Sequence, residues 1–81
     1  MKVRVLLFAR LRELARSDAL ELDLPEGSTA GSVWLRLQEQ VEALRAYRRP
    51  PLMAIDQAYV SPDTVLAGGE EVAFFPPVSG G

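Results

Sequence analysis

Lys2-Val3-Arg4-Val5-Leu6-Leu7-Phe8-Ala9 near the start and Val72-Ala73-Phe74-Phe75 near the end are the two most apolar segments of this 81-residue chain. Both are rich in β-branched, aliphatic and aromatic side chains and read as strands. The first reads as apolar on both faces, hence central, and the second as buried over part of its length. Side by side at the middle of a sheet, they would pair in parallel, because a crossover helix separates them.

Outward from these two strands, the remaining elements follow from periodicity and breakers. Arg10–Arg16 places Leu11, Leu14 and Ala15 at helical spacing, one or two turns. Leu20, Leu22 and Leu24 alternate with Glu21 and Asp23, a strand with one wet face, before Pro25-Glu26-Gly27 breaks it. Ser28-Thr29 is an N-cap signal, and Val33, Trp34, Leu37, Val41 and Leu44 form one apolar helical stripe, with Trp34 read as core. Gly31 weakens that helix, and Pro50-Pro51 limits it. Leu52–Ile55 and Ala58–Val60 are short strands around Asp56-Gln57. One main helix across a mixed sheet of four or five strands is an α+β, ubiquitin-like β-grasp arrangement. Residues 1–75 form that domain, and residues 76–81 form a tail.

Composition removes whole classes of chemistry. Histidine and cysteine are both 0, which excludes a thiol nucleophile, an imidazole base, a disulfide framework and the usual metal-ligand sets. No acidic cluster has loop-like ligand spacing, so no metal site is expected. A cysteine-free chain that folds on its core alone fits a reducing, cytoplasmic setting. The apolar run Val5–Ala9 is too short for a signal or membrane segment, so no membrane partner is expected. A net charge of −2 gives no general attraction to nucleic acid, which is not an expected partner either. Charge is segregated: Lys2, Arg4, Arg10, Arg12 and Arg16 face only Glu13 in the first 16 residues. Residues 51–81 carry Asp56, Asp63, Glu70 and Glu71 and no base. The two regions are either solvated faces or docking faces for other proteins.

After Phe75 the pattern stops. Pro76 and Pro77 oppose both helix and ladder bonding and favour an extended exit. Residues 76–81 reach roughly 20 Å when fully extended. Gly80 and Gly81 carry no Cβ, so the end of the chain fits a narrow channel and exposes a terminal carboxylate free of side-chain crowding. Such a carboxylate reacts only after activation, for which an acyl-adenylate is the usual form. Sulfur attack then gives a thiocarboxylate, and amine attack gives an amide. The alternative is an inert polar end.

The string Leu66-Ala67-Gly68-Gly69-Glu70-Glu71-Val72-Ala73-Phe74-Phe75-Pro76-Pro77-Val78-Ser79-Gly80-Gly81 resembles the small, sulfur-carrier subunits of molybdopterin synthase. Val5–Leu14, Leu24-Pro25-Glu26-Gly27-Ser28-Thr29 and Ala54-Ile55-Asp56-Gln57 extend the resemblance. Departures fall at Asp56, where the family often has asparagine, and at Gly68-Gly69-Glu70, where it has an aspartate-glycine-aspartate turn.

The resemblance implies the following. A ubiquitin-activating-like adenylating enzyme consumes ATP to adenylate Gly81, and a sulfur donor protein converts it to a thiocarboxylate. The charged carrier docks on the large synthase subunit, in a heterotetramer, and gives sulfur to a pterin precursor of the molybdenum cofactor. The chain binds no cofactor and is not catalytic by itself. Gly80, Ser79, Val78, Pro77 and Pro76 are channel contacts or a passive spacer. Phe74 and Phe75 point to opposite sheet faces, and the resemblance favours Phe75 as the docking anchor. Arg12 resembles an arginine near the activating-enzyme interface, and a solvated arginine is the other reading. Phe8 and Leu6 share a strand face and read as core. Competing functions are a carrier for thiamin or tRNA thiolation, a ubiquitin-like protein modifier, and a non-reactive adaptor.

Overall fold

The computed structural model describes residues 1–76. In chain order the elements are β1 (Lys2–Leu7), α1 (Ala9–Ala15), β2 (Ala19–Asp23), α2 (Ala30–Gln40), a 3-10 turn (Glu42–Ala46), β3 (Leu52–Ile55), β4 (Ala58–Val60) and β5 (Glu71–Phe75). They form one five-stranded mixed sheet of order β2-β1-β5-β3-β4. β1 and β5 lie side by side in parallel, with Val5 opposite Val72 and Leu7 opposite Phe74. The other three pairings are antiparallel.

The core lies between one sheet face and the helices. Val3, Val5 and Leu7 of β1 point into it, as do Val72 and Phe74 of β5, and all five are fully buried. From α2 come Val33, Trp34 and Leu37, with Trp34 tilted against Phe74 at 5.5 Å between ring centroids. No buried polar or charged residue is found among those described. Stability therefore comes from apolar burial, at roughly 25 cal/mol per Å² of apolar surface removed from water.

Two expectations need correction. β1 is not apolar on both faces: Lys2 and Arg4 share its outer face with Leu6, and only the alternate positions are buried. The apolar stripe of the helix also does not run unbroken to Leu44. Val41 adopts extended angles (φ −119, ψ 97) and ends α2, and Leu44 reaches the core from the separate 3-10 turn. Side chains stabilise this break by satisfying the free carbonyls of the helix end. Arg45 donates to the Gln38 and Glu39 carbonyls (2.8 and 2.9 Å), and the Gln38 amide donates to those of Leu44 and Tyr47 (3.0 and 3.1 Å).

At its start α2 is closed by a capping box. The Ser32 N–H donates to Thr29 Oγ1 (3.2 Å), and the Thr29 N–H donates to Ser32 Oγ (2.8 Å). Gly31 sits where the helix presses on the loop after β4. A Cβ built there would lie 3.1 Å from both Cβ and the carbonyl oxygen of Pro62. Close approach, not helix propensity, accounts for the glycine.

Two turns brace the sheet at the end from which β1 and β5 start. Asp56 and Gln57 both have positive φ (46° and 74°), the left-handed pair a two-residue hairpin needs. Asp56 N–H donates to the Glu71 carbonyl (2.9 Å), and its Oδ1 accepts from the Glu71 N–H (3.1 Å). Gly68 and Gly69 also take positive φ, and the Glu70 carboxylate accepts from Ala67 and Gly68 N–H groups (2.8 and 2.6 Å). Among the described residues no helix is long and apolar enough to cross a membrane.

Candidate docking face and chain exit

Parallel pairing brings the ends of β1 and β5 together. The Phe8 N–H donates to the Phe74 carbonyl (3.3 Å), carrying the ladder one step beyond Leu7. Successive β5 side chains then diverge: Phe74 is fully buried, while Phe75 stands half-exposed on the outer face. There it stacks on Phe8 at 4.6 Å with 10° between the ring planes. Tyr59 of β4 approaches from the other side, at 6.0 Å and 56°.

The three rings crown an apolar strip. A shallow groove of about 280 Å³ runs over Leu6, Ala54 and Ala73 beside them. Leu52, 43% exposed, pairs with Phe75 across β3, and Tyr59 is 72% exposed. A contiguous exposed apolar patch containing aromatic rings is the composition of a protein-docking surface. The Arg4–Glu71 ion pair (3.6 Å) lies at the far end of the same face, exposed and of little energetic weight.

Beyond Phe8 the chain turns sharply. Ala9 adopts φ +52, a left-handed conformation uncommon for a residue with a Cβ, and α1 begins there. The turn projects Arg12 beside Phe8, where both border a polar depression of about 280 Å³ with Arg4 and Asp18. Arg12 is thus the basic side chain next to Phe8, with Asp18 lining the same depression. Among the described residues no group of histidine, cysteine or carboxylate side chains is gathered for a metal ion.

The structure thus brings Phe75 and Arg12 to one end of the molecule, on either side of Phe8, and places Pro76 immediately beyond Phe75. Pro77, Val78, Ser79, Gly80 and Gly81 lie outside the described residues. Assigning Phe8 and Leu6 to the core was wrong: Phe8 is 39% exposed, and both line the outer groove. The signal was present in β1, because Leu6 and Phe8 share the alternation phase of Lys2 and Arg4. Tyr59 was missed because β4, with only three residues, shows no readable alternation.

A mixed sheet with a central parallel pair and one long helix across its inner face defines a ubiquitin-like β-grasp protein. The model of the ThiS family matches residues 5–81, and the chain belongs to that family. It is 41% identical to the molybdopterin synthase sulfur carrier subunit of Escherichia coli strain K12, over 98% of this chain and 99% of that one. Among solved structures it resembles a putative molybdopterin converting factor, subunit 1, from Pyrococcus furiosus, with TM-score 0.85 and 32% identity. That match covers 96% of this chain and 99% of the other. It also resembles small archaeal modifier protein 1 of Haloferax volcanii, with TM-score 0.84 and 26% identity over 95% and 98% of the two chains.

Proposed function

We propose that this chain is the sulfur carrier of a molybdopterin synthase, acting in molybdenum cofactor biosynthesis in the cytoplasm. The observation that carries the reading is the extent of the family match, which runs through the β-grasp body and on to Gly81. Full-length similarity to sulfur carrier subunits from bacteria and plants supports the pathway.

The division of labour follows from the chemistry available. With neither histidine nor cysteine, the chain has no imidazole base or thiol nucleophile, so the catalytic groups belong to its partners. An adenylating enzyme activates the Gly81 carboxylate with ATP: the carboxylate oxygen attacks the α-phosphorus and pyrophosphate leaves. Sulfur from a persulfide donor protein then attacks the carbonyl carbon and AMP leaves. The product is an acyl disulfide; a second thiol of the donor protein attacks the donor sulfur of that bond, so the thiocarboxylate leaves and the donor is left with a disulfide. The large synthase subunit receives residues 76–81 in a channel while its surface covers Phe75, Phe8 and Tyr59. Gly80 gives clearance, Pro76, Pro77, Val78 and Ser79 contact the channel, and Arg12 meets the activating enzyme.

The test is intact mass spectrometry after incubation with ATP, an adenylating enzyme of this type and a sulfur donor. The chain gains the mass difference between sulfur and oxygen. Deleting Gly81, or adding one residue after it, abolishes the gain and leaves the circular dichroism spectrum unchanged. A variant with a blocked C-terminus that still delivers sulfur would overturn the reading. The modifier likeness favours a second reading, amide transfer to lysines of other proteins. Gly-Gly remnants on cellular lysines that depend on this chain would support that one.

A further inference from the structure

We infer that Ala9 is a positioning residue: its left-handed backbone sets the joint between β1 and α1 and so holds the Phe8 ring on Phe75 with Arg12 beside it. The inference rests on the carrier reading, which makes that end of the sheet the face a partner covers. Four residues other than glycine have positive φ: Ala9 (52°), Arg16 (56°), Asp56 (46°) and Gln57 (74°). The last three stand where such angles are usual. Arg16 closes the C-terminus of α1, and Asp56 and Gln57 form the hairpin turn between β3 and β4. Ala9 is different. It is the first residue of α1, where φ is ordinarily about −60°. Alanine also lacks the short polar side chain that lets asparagine or aspartate bond locally in the left-handed region. Its side chain is exposed, so core packing does not call for it either.

A strained backbone persists only where its surroundings over-determine it, and bonds on both sides of Ala9 do so. Before it, the Phe8 N–H donates to the Phe74 carbonyl (3.3 Å). The Phe8 carbonyl in turn accepts from the Leu11 and Arg12 N–H groups (3.1 and 3.4 Å). After it, Leu11 is fully buried and anchors α1 in the core. Rotation of Ala9 to negative φ would swing the helix away from the end of β1, breaking the bonds to the Phe8 carbonyl or withdrawing Leu11. What the strain secures is a relation among exposed groups. Phe8 lies 4.6 Å from Phe75 in a stack, and Arg12 borders the same depression as Phe8. A ring and a guanidinium set in place before contact lose less freedom when a partner docks.

Handedness provides the test, because an L residue resists positive φ and its D counterpart favours it. Ala9→Val and Ala9→D-Val, made by chemical synthesis of the full chain, carry the same side chain with opposite hand. Ala9→Val should lose the nuclear Overhauser contacts between the Phe8 and Phe75 rings and keep those between Trp34 and Phe74. It should also bind the large synthase subunit about tenfold more weakly than wild type does. Ala9→D-Val should keep both sets of contacts and the wild-type affinity. Ala9→D-Ala, which relieves the strain without adding bulk, should melt roughly 4–8 °C above wild type.

Three results would each overturn the inference: wild-type ring contacts and affinity in Ala9→Val, loss of the ring contacts in Ala9→D-Val, or no rise in melting temperature for Ala9→D-Ala. The last two decide the matter even where Ala9→Val does not fold. Ring contacts and melting are read on the isolated chain. A wild type that fails to bind the large subunit would therefore count against the carrier reading, while the role of Ala9 in placing Phe8 is still decided by those two measurements.

Discussion

The ring of Phe75 lies flat against that of Phe8, 4.6 Å away and 10° from parallel, and so ties the last strand's final residue to the first residue beyond β1. Phe75 is also the residue from which the tail departs. The stack, the Phe8-to-Phe74 hydrogen bond and the pairing of Phe75 with Leu52 together fix the position of the exit. On the proposed carrier reading, a terminus delivered into a partner's channel gains from such a fixed root, because placement errors at the reacting atom are costly in rate.

A double-mutant cycle on Phe8→Ala and Phe75→Ala should give a coupling of about 0.5–1.5 kcal/mol in urea unfolding, the range for an aromatic pair beyond its area burial. Both single variants should fold and bind the large subunit more weakly, by calorimetric titration. Additive unfolding energies would remove the stack as a stabilising contact.

Phe74, one residue away, belongs to the opposite face and behaves differently. It is fully buried against Trp34, so Phe74→Ala should cost about 3–5 kcal/mol. In a domain this small that is a large part of the total stability. Equilibrium denaturation should find the variant largely unfolded or with its midpoint strongly lowered. A loss no larger than that of Phe75→Ala would contradict the assigned faces.

Gly31→Ala sets two effects against each other. Alanine favours the helix by about 1 kcal/mol over glycine. Its Cβ, however, would meet Pro62 at 3.1 Å, at a ring carbon and a backbone oxygen that have little freedom to move. The steric effect should win, and the variant should melt below wild type. A higher melting temperature would show that the loop carrying Pro62 yields.

Glu70 should contribute a pH-dependent part of the stability. Hydrogen bonds from the Ala67 and Gly68 N–H groups hold its carboxyl pKa below the ordinary value. A folded-state pKa that is depressed gives stabilisation present above the unfolded value and lost as pH falls through the folded one. Melting curves between about pH 5 and pH 2 should therefore decline less steeply for Glu70→Gln than for wild type. Parallel curves would assign the acid sensitivity to other carboxylates.

Much of this architecture was legible in local pattern. Alternation in Leu20–Leu24, the Thr29 cap and the Asp56-Gln57 turn predict β2, the start of α2 and the β3–β4 hairpin. Each of these rests on neighbours within a few residues, and short-range backbone and side-chain preferences are written directly in the order of residues. The parallel pairing of β1 and β5 followed as well, since a crossover helix leaves few alternatives.

What sequence order could not supply was the sharing of the outer face. Phe8 just after β1, Tyr59 in the middle of β4 and Phe75 at the end of β5 are far apart in the chain, and only the pairing registers set their rings beside one another. Hydrophobicity says that such residues avoid water without saying whether a core or a partner shields them. Likewise Gly31 looks like a flaw in a helix until Pro62, distant along the chain, is found against it. Non-local contacts depend on the whole packing, because the closeness of two side chains is a property of the assembled sheet and not of either segment.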